Sequence, residues 1–79
     1  GKEEGAFISY WLNGQLQYKR NFKSGKAEGA WVEYWENGQL NYKGNYKNGK
    51  AEGAWVSYNK DGTVRDYTGT YKDGEKISD

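Results

Sequence analysis

The chain contains no cysteine, proline, histidine or methionine. Without cysteine there is no disulfide framework, and composition carries no information on redox compartment. Without histidine or cysteine the commonest general bases, nucleophiles and metal ligands are missing, so the sequence offers no catalytic constellation and no cofactor site. Without proline, strands can run free of a residue that cannot donate to a ladder. An excess of one charge is missing as well. Twelve Lys and Arg stand against eleven Asp and Glu, a net +1, so no global field points to nucleic acid. No apolar run is long enough for a signal or a membrane span. There is no initiating methionine and Gly1 falls in mid-pattern, as expected of a slice of a longer chain from which an export signal can have been removed; localisation is therefore not legible.

Hydrophobic residues make up only 34%, yet aromatics reach 18%, with four Trp and eight Tyr. Disordered chains are poor in aromatics, so this balance points to a thin fold held by large rings. Twelve glycines supply tight turns. At 79 residues the chain reads as a single small domain, 1–79, with little stability to spare.

The chain is built on one stretch, GKAEGAWVEYWENGQLNYKGNYKNG from Gly25 to Gly49. A shift of twenty-four residues in either direction falls on largely identical letters, giving units 1–24, 25–48 and 49–74 and a tail, 75–79. Each unit reads as two strands. Trp31, Val32 and Tyr34 enrich the first, and Leu40, Tyr42, Gly44 and Tyr46 alternate with polar residues in the second. Asn13-Gly14, Asn37-Gly38 and Asp61-Gly62 join the strands within units; Ser24-Gly25, Asn48-Gly49 and Asp73-Gly74 join the units. No segment has a sustained helical period.

A two-residue loop at Asn37-Gly38 predicts the pairs Trp35–Leu40, Glu33–Tyr42, Trp31–Gly44 and Gly29–Tyr46. It also predicts Trp31 lying over Gly44, Tyr46 over Gly29, and Glu28 meeting Lys47 on the other face. In the first unit Arg20 replaces the glycine, with a cation–π contact to Phe7 expected. The third unit has one residue too many; a β-bulge at Arg65-Asp66 restores Trp55–Gly69, Gly53–Tyr71 and Glu52–Lys72. The fold class is therefore all-β: a single-layer antiparallel meander of hairpin repeats, with about six strands advancing about 10 Å per unit.

The run Gly29, Trp31, Tyr34, Asn37, Gly38, Leu40, Gly44, Tyr46, Gly49 resembles the MORN (membrane occupation and recognition nexus) repeat. It is closest to the variant form of bacterial proteins with an antitoxin role. The run recurs as Gly53, Trp55, Tyr58, Asp61, Gly62, Gly69, Tyr71, Gly74. Departures are Phe7 and Asn59 for Trp, Arg20 for Gly, and the extra residue near Asp66, all in outer units where capping repeats depart from consensus. The resemblance implies a non-enzymatic module for protein–protein interaction or scaffolding. For some members it implies contact with acidic phospholipid. It transfers no catalytic residue.

Two sets of side chains are candidate contacts. The aromatic face offers Trp11, Trp35, Tyr18 and Tyr42 for another protein, a cell-wall glycan or a second copy pairing through strand edges. The lysines Lys19, Lys23, Lys43, Lys47 and Lys72 offer weaker contacts for phosphates, set against their ordinary use as solvated or edge-protecting charges. Glu4, Glu28 and Glu52 recur once per unit, about 10 Å apart, too far for a paired-carboxylate catalyst.

Overall fold

A computed structural model describes residues 4–79; the first three residues of the first unit lie outside it. Eight strands, all antiparallel, form one open sheet. They are β1 (Gly5–Tyr10), β2 (Leu16–Lys23), β3 (Lys26–Ala27), β4 (Gly29–Tyr34), β5 (Leu40–Lys47), β6 (Lys50–Ser57), β7 (Gly69–Lys72) and β8 (Glu75–Ser78). Their order is β1-β2-β4-β5-β6-β7-β8, with β3 also on β2, so each strand lies beside its chain neighbours. The result is a slab of 34 × 32 × 11 Å, a single-layer meander. The count exceeds six for two reasons. The first strand of the second unit breaks at Glu28, and the tail after Asp73-Gly74 adds β8.

Two kinds of turn alternate. Between units, Ser24-Gly25, Asn48-Gly49 and Asp73-Gly74 have positive φ at both residues, 51–52° then 81–86°. These are two-residue type I′ turns, whose twist matches that of the strands they join. Their exposed amides are held by the recurrent glutamates. Glu4 accepts from Ser24 N at 2.9 Å, Glu28 from Asn48 N at 3.1 Å, and Glu52 from Asp73 N at 3.2 Å. The Glu28–Lys47 pairing expected from the sequence is thus replaced by a turn contact. Among the described residues the ion pairs are Arg20–Glu33 and Lys76–Asp79.

Within units the loop is three residues long, not two. Gly38 N donates to Trp35 O at 2.9 Å and Trp35 N donates to Gln39 O at 2.7 Å, and in this loop Gly38 alone has positive φ, 88°. This is a type I turn closed by a left-handed glycine, the usual three-residue hairpin. Tyr34, not Trp35, therefore pairs with Leu40, and Asn41 is left as an extra residue in β5. The longer loop and this bulge cancel, so Glu33↔Tyr42, Trp31↔Gly44 and Gly29↔Tyr46 stand as the sequence predicts. The first unit repeats the geometry, with Gln17 in the bulge.

The third unit restores Trp55↔Gly69 and Gly53↔Tyr71 as expected. Its irregularity is larger than a bulge. Thr68 N donates to Arg65 O at 3.1 Å, closing a turn over 65–68, and the Thr68 hydroxyl bridges Ser57 N and Ser57 O.

The space over Gly44 is filled from the following unit rather than from its own. A Cβ on Gly44 would collide with Trp55, the tryptophan of the following unit, not with Trp31. Gly29 does not make room for Tyr46: its nearest neighbour would be Asn21 Cβ, at 3.6 Å, and what it supplies is a φ of 90° that kinks the strand. By the same offset, Trp31 lies over Arg20, whose guanidinium carbon is 5.3 Å from the Trp31 ring and 3.9 Å from Tyr18. That contact replaces the expected one with Phe7.

Candidate functional site

Strand alternation sorts the side chains onto two faces of unlike chemistry. On one face six rings meet in sequence across the sheet: Phe7–Phe22 (5.3 Å), Phe22–Trp31 (5.3 Å), Trp31–Tyr46 (4.8 Å), Tyr46–Trp55 (5.0 Å) and Trp55–Tyr71 (6.2 Å), each edge to face. Such pairs contribute about 0.5–1.5 kcal/mol each beyond area burial. They do the work of a core, because no hydrophobic residue among those described is fully buried.

Beside the rings runs a polar line. Ser9 bonds Gln17 at 3.0 Å, and Glu33 accepts from Asn41 at 3.3 Å, Arg20 at 3.0 Å and Tyr42 at 3.3 Å. Arg65 donates to Asn41 Oδ1 at 3.0 Å, to Ser57 Oγ at 3.4 Å and to Asn59 Oδ1 at 3.2 Å. Asn41, the extra residue of the β5 bulge, and Ser57 are the buried polar residues. Arg20 loses solvation here, which lowers its pKa, but the Glu33 hydrogen bond and the Tyr42 hydroxyl raise it further. Burial, then the Glu33 charge, pushes the Tyr42 hydroxyl above its ordinary value.

Between the second and third units this face opens into a groove of about 400 Å³. Tyr42, Tyr46, Trp55 and Tyr71 form its floor and sides, with Ser57, Arg65 and Tyr67 along one border. Arg65 also lies 5.0 Å from the Trp35 ring. The arrangement presents flat apolar area, phenolic hydroxyls and one guanidinium within a shallow trough. It can bind; nothing in it is arranged as a nucleophile with a base, and no metal-holding cluster occurs among the described residues.

Of the sequence candidates, Tyr42 lines the groove and Trp35 touches it through Arg65. Tyr18 lies under Arg20 in the first unit. Trp11 and Trp35 are half-buried, and their indole N–H groups cross to the following unit, to Tyr34 O at 3.2 Å and Tyr58 O at 3.1 Å. Arg65 was not among the candidates, though the period marks it: it stands where Gln17 and Asn41 stand, at the inward bulge, and is the one cation there.

The opposite face holds Lys19, Lys23, Lys43, Lys47 and Lys72, all exposed. Lys19 and Lys43 alternate with Ile8, Val32 and Val56 along one cross-strand row. Lys23 pairs with Lys26 and Lys47 with Lys50, while Lys72 pairs with Glu75.

A family model described as MORN repeat variant matches residues 3–24 and 27–48. The unmatched third unit is the one with Asn59, Asp61 and the inserted turn. Neither the curated proteins nor the solved structures contain a match.

Proposed function

We propose, from the premise that this chain belongs to the MORN repeat variant family, that it is a repeat module that binds another protein through the ring-lined groove between its second and third units. Repeats of this family are generally non-catalytic binding or scaffolding modules. The observation that carries the reading is the groove itself. Tyr, Trp and Arg dominate the energetic centres of protein interfaces, and here they converge on one concave surface. The fitting occupant is an extended segment bearing an apolar anchor for the Trp55 and Tyr46 rings and an acceptor for Arg65. An antitoxin-like role would use the same face to hold its protein target.

A second reading rests on Lys23↔Lys26 and Lys47↔Lys50. Like charges directly opposite are destabilising in a sheet, so their presence favours a surface kept for acidic lipid headgroups. The two readings use opposite faces, so one set of variants separates them. Peptides selected from a displayed random library against the chain are titrated against Arg65→Ala, Tyr67→Ala and a Lys43→Ser/Lys47→Ser double variant, alongside vesicles containing phosphatidylserine. The groove reading expects peptide affinity to fall about tenfold or more in the groove variants and to hold in the lysine variant. Peptides indifferent to Arg65 and Tyr67, with salt-sensitive vesicle binding lost in the lysine variant, overturn it in favour of the lipid surface.

A further inference from the structure

Successive units meet at two junctions that carry the same rings and differ in what lies over them. At the first, the Arg20 guanidinium carbon lies 3.9 Å from the Tyr18 ring and 5.3 Å from the Trp31 ring. Its Nη2 donates to Glu33 at 3.0 Å. A flat cation from one strand thus plugs the junction, held by a carboxylate from the next unit. Twenty-four residues on, the ring positions hold Tyr42 and Trp55, but Gly44 stands in place of Arg20 and Ser57 in place of Glu33. Both charges of the plug are gone. Tyr42 and Trp55 stack there, 6.1 Å apart and 29° from parallel, and both line the groove. Trp31 Nε1 donates to Asn21 O at 2.9 Å, whereas Trp55 Nε1 is buried without an acceptor. The second junction repeats the rings of the first without its plug.

The polarity of the wall is also reversed. Arg65 stands at the position of Asn41, and no carboxylate lines the groove. Neutral oxygens hold two of the three guanidinium nitrogens: Nε donates to Asn59 Oδ1, and Nη1 to Asn41 Oδ1 and Ser57 Oγ. Nη2 has no acceptor among the described residues, and neither ion pair found among them involves Arg65. At the first junction the plug brings the cation and the wall supplies the anion. At the second the wall supplies the cation, so the matching plug brings the anion. A guanidinium or ammonium in that place would face Arg65 with no counterpart of Glu33 to hold it.

We infer, on the premise that the groove is the binding face, that it selects an internal segment of a partner protein in which an aromatic residue stands next to Asp or Glu. Arg65 sets this specificity. The aromatic ring lies over Tyr42 and Trp55, in the place that the Arg20 guanidinium takes one unit earlier. The adjacent carboxylate accepts from the unused Nη2 of Arg65, a charge-assisted bond. The acid is a side chain and not a chain terminus. Backbone N–H clusters capture terminal carboxylates, and at this border Arg65 N and Thr68 N are already given to Ser57 O and Arg65 O, at 2.9 and 3.1 Å.

The test selects displayed random peptides against the intact chain and counts as groove ligands those that Tyr67→Ala weakens. Groove ligands are expected to carry Phe, Tyr or Trp beside Asp or Glu. Synthetic versions with that acid changed to its amide should bind about tenfold more weakly. In Arg65→Gln the difference between acid and amide should shrink to within about twofold. Selection against Arg65→Glu should return Lys or Arg beside the aromatic residue. If either Arg65 variant fails to fold in thermal melts, the acid and amide peptides on the unaltered chain decide the matter alone. Groove ligands indifferent to the amide change, or bearing Lys or Arg in place of the acid, overturn the inference and leave the groove as the binding face. A library that yields only peptides unaffected by Tyr67→Ala overturns the binding face and the inference together. A dimer of the chain in sedimentation, dissolved by Tyr67→Ala, puts a second copy in the groove and also overturns the inference.

Discussion

Gly44 lacks a side chain because the Trp55 ring from the next unit occupies the space where one would be. Gly44→Ala is therefore expected to cost about 3 kcal/mol in urea unfolding through overpacking. Most of that loss should disappear in a Trp55→Ala background and none of it in a Trp31→Ala background. Gly29→Ala meets only an ordinary contact with Asn21 Cβ, at 3.6 Å, but a φ of 90°, so its cost should be smaller, about 1–2 kcal/mol. Tyr42 makes a second residue-scale case. Its hydroxyl is raised above the ordinary 10.0 by burial and by Glu33, so the folded chain holds that proton more tightly than the unfolded one. The resulting stability is complete below pH 10.0 and drains away as pH climbs through the raised value. Phenolate absorbance should show a late-titrating component that is absent in Tyr42→Phe; a titration curve unchanged by that substitution would mean that the buried site beside Glu33 is not maintained in solution.

At the scale of elements, the turns decide what the strands can do. Asn37 has two tasks: its Oδ1 accepts Gln39 N at 2.9 Å and its amide donates to Lys60 O. Asn37→Asp keeps the first and loses the second, at an expected cost of about 1 kcal/mol. Asp61→Asn should be close to neutral in thermal melts at neutral pH, since no carbonyl follows to receive the amide. The inserted turn permits an equally direct check. The extra residue looks dispensable in the sequence, so deleting Asp66 should regularise the unit. In the structure its carbonyl anchors Lys76, and the turn sets Thr68 on Ser57, so the deletion is expected to lower the melting midpoint and loosen β8 first in hydrogen exchange. The period, the strand pairs away from the within-unit loops and the position of the irregularity were legible, because hydrophobic alternation and turn residues are local; the Trp35–Leu40 pair was not, because the loop is one residue longer than Asn37-Gly38 alone suggests. Which ring covers which glycine was not. That depends on the kinks at Gly29 and Gly53, which arise from positive φ and leave no mark on alternation. The groove was half legible for the same reason: its tyrosines and Arg65 follow the period, whereas the inward turn of Arg65 comes from a bulge position that only the loop length reveals.

The whole molecule is a slab 11 Å thick in which rings at the surface substitute for an interior. On the proposed groove reading, stability and recognition draw on the same side chains, and a partner seated in the groove would also shelter Tyr46 and Trp55. The thinness has a calorimetric consequence. The heat capacity released on unfolding measures apolar surface newly exposed to water, and here the native rings are already partly wet. Differential scanning calorimetry should give a value below the usual 12–15 cal/mol/K per residue, with partner binding raising the apparent increment. A value within the ordinary range would mean that the rings are better covered in solution than in this sheet. With a low increment, the curve of stability against temperature is shallow. The module then keeps nearly the same modest margin in the cold as in the warm.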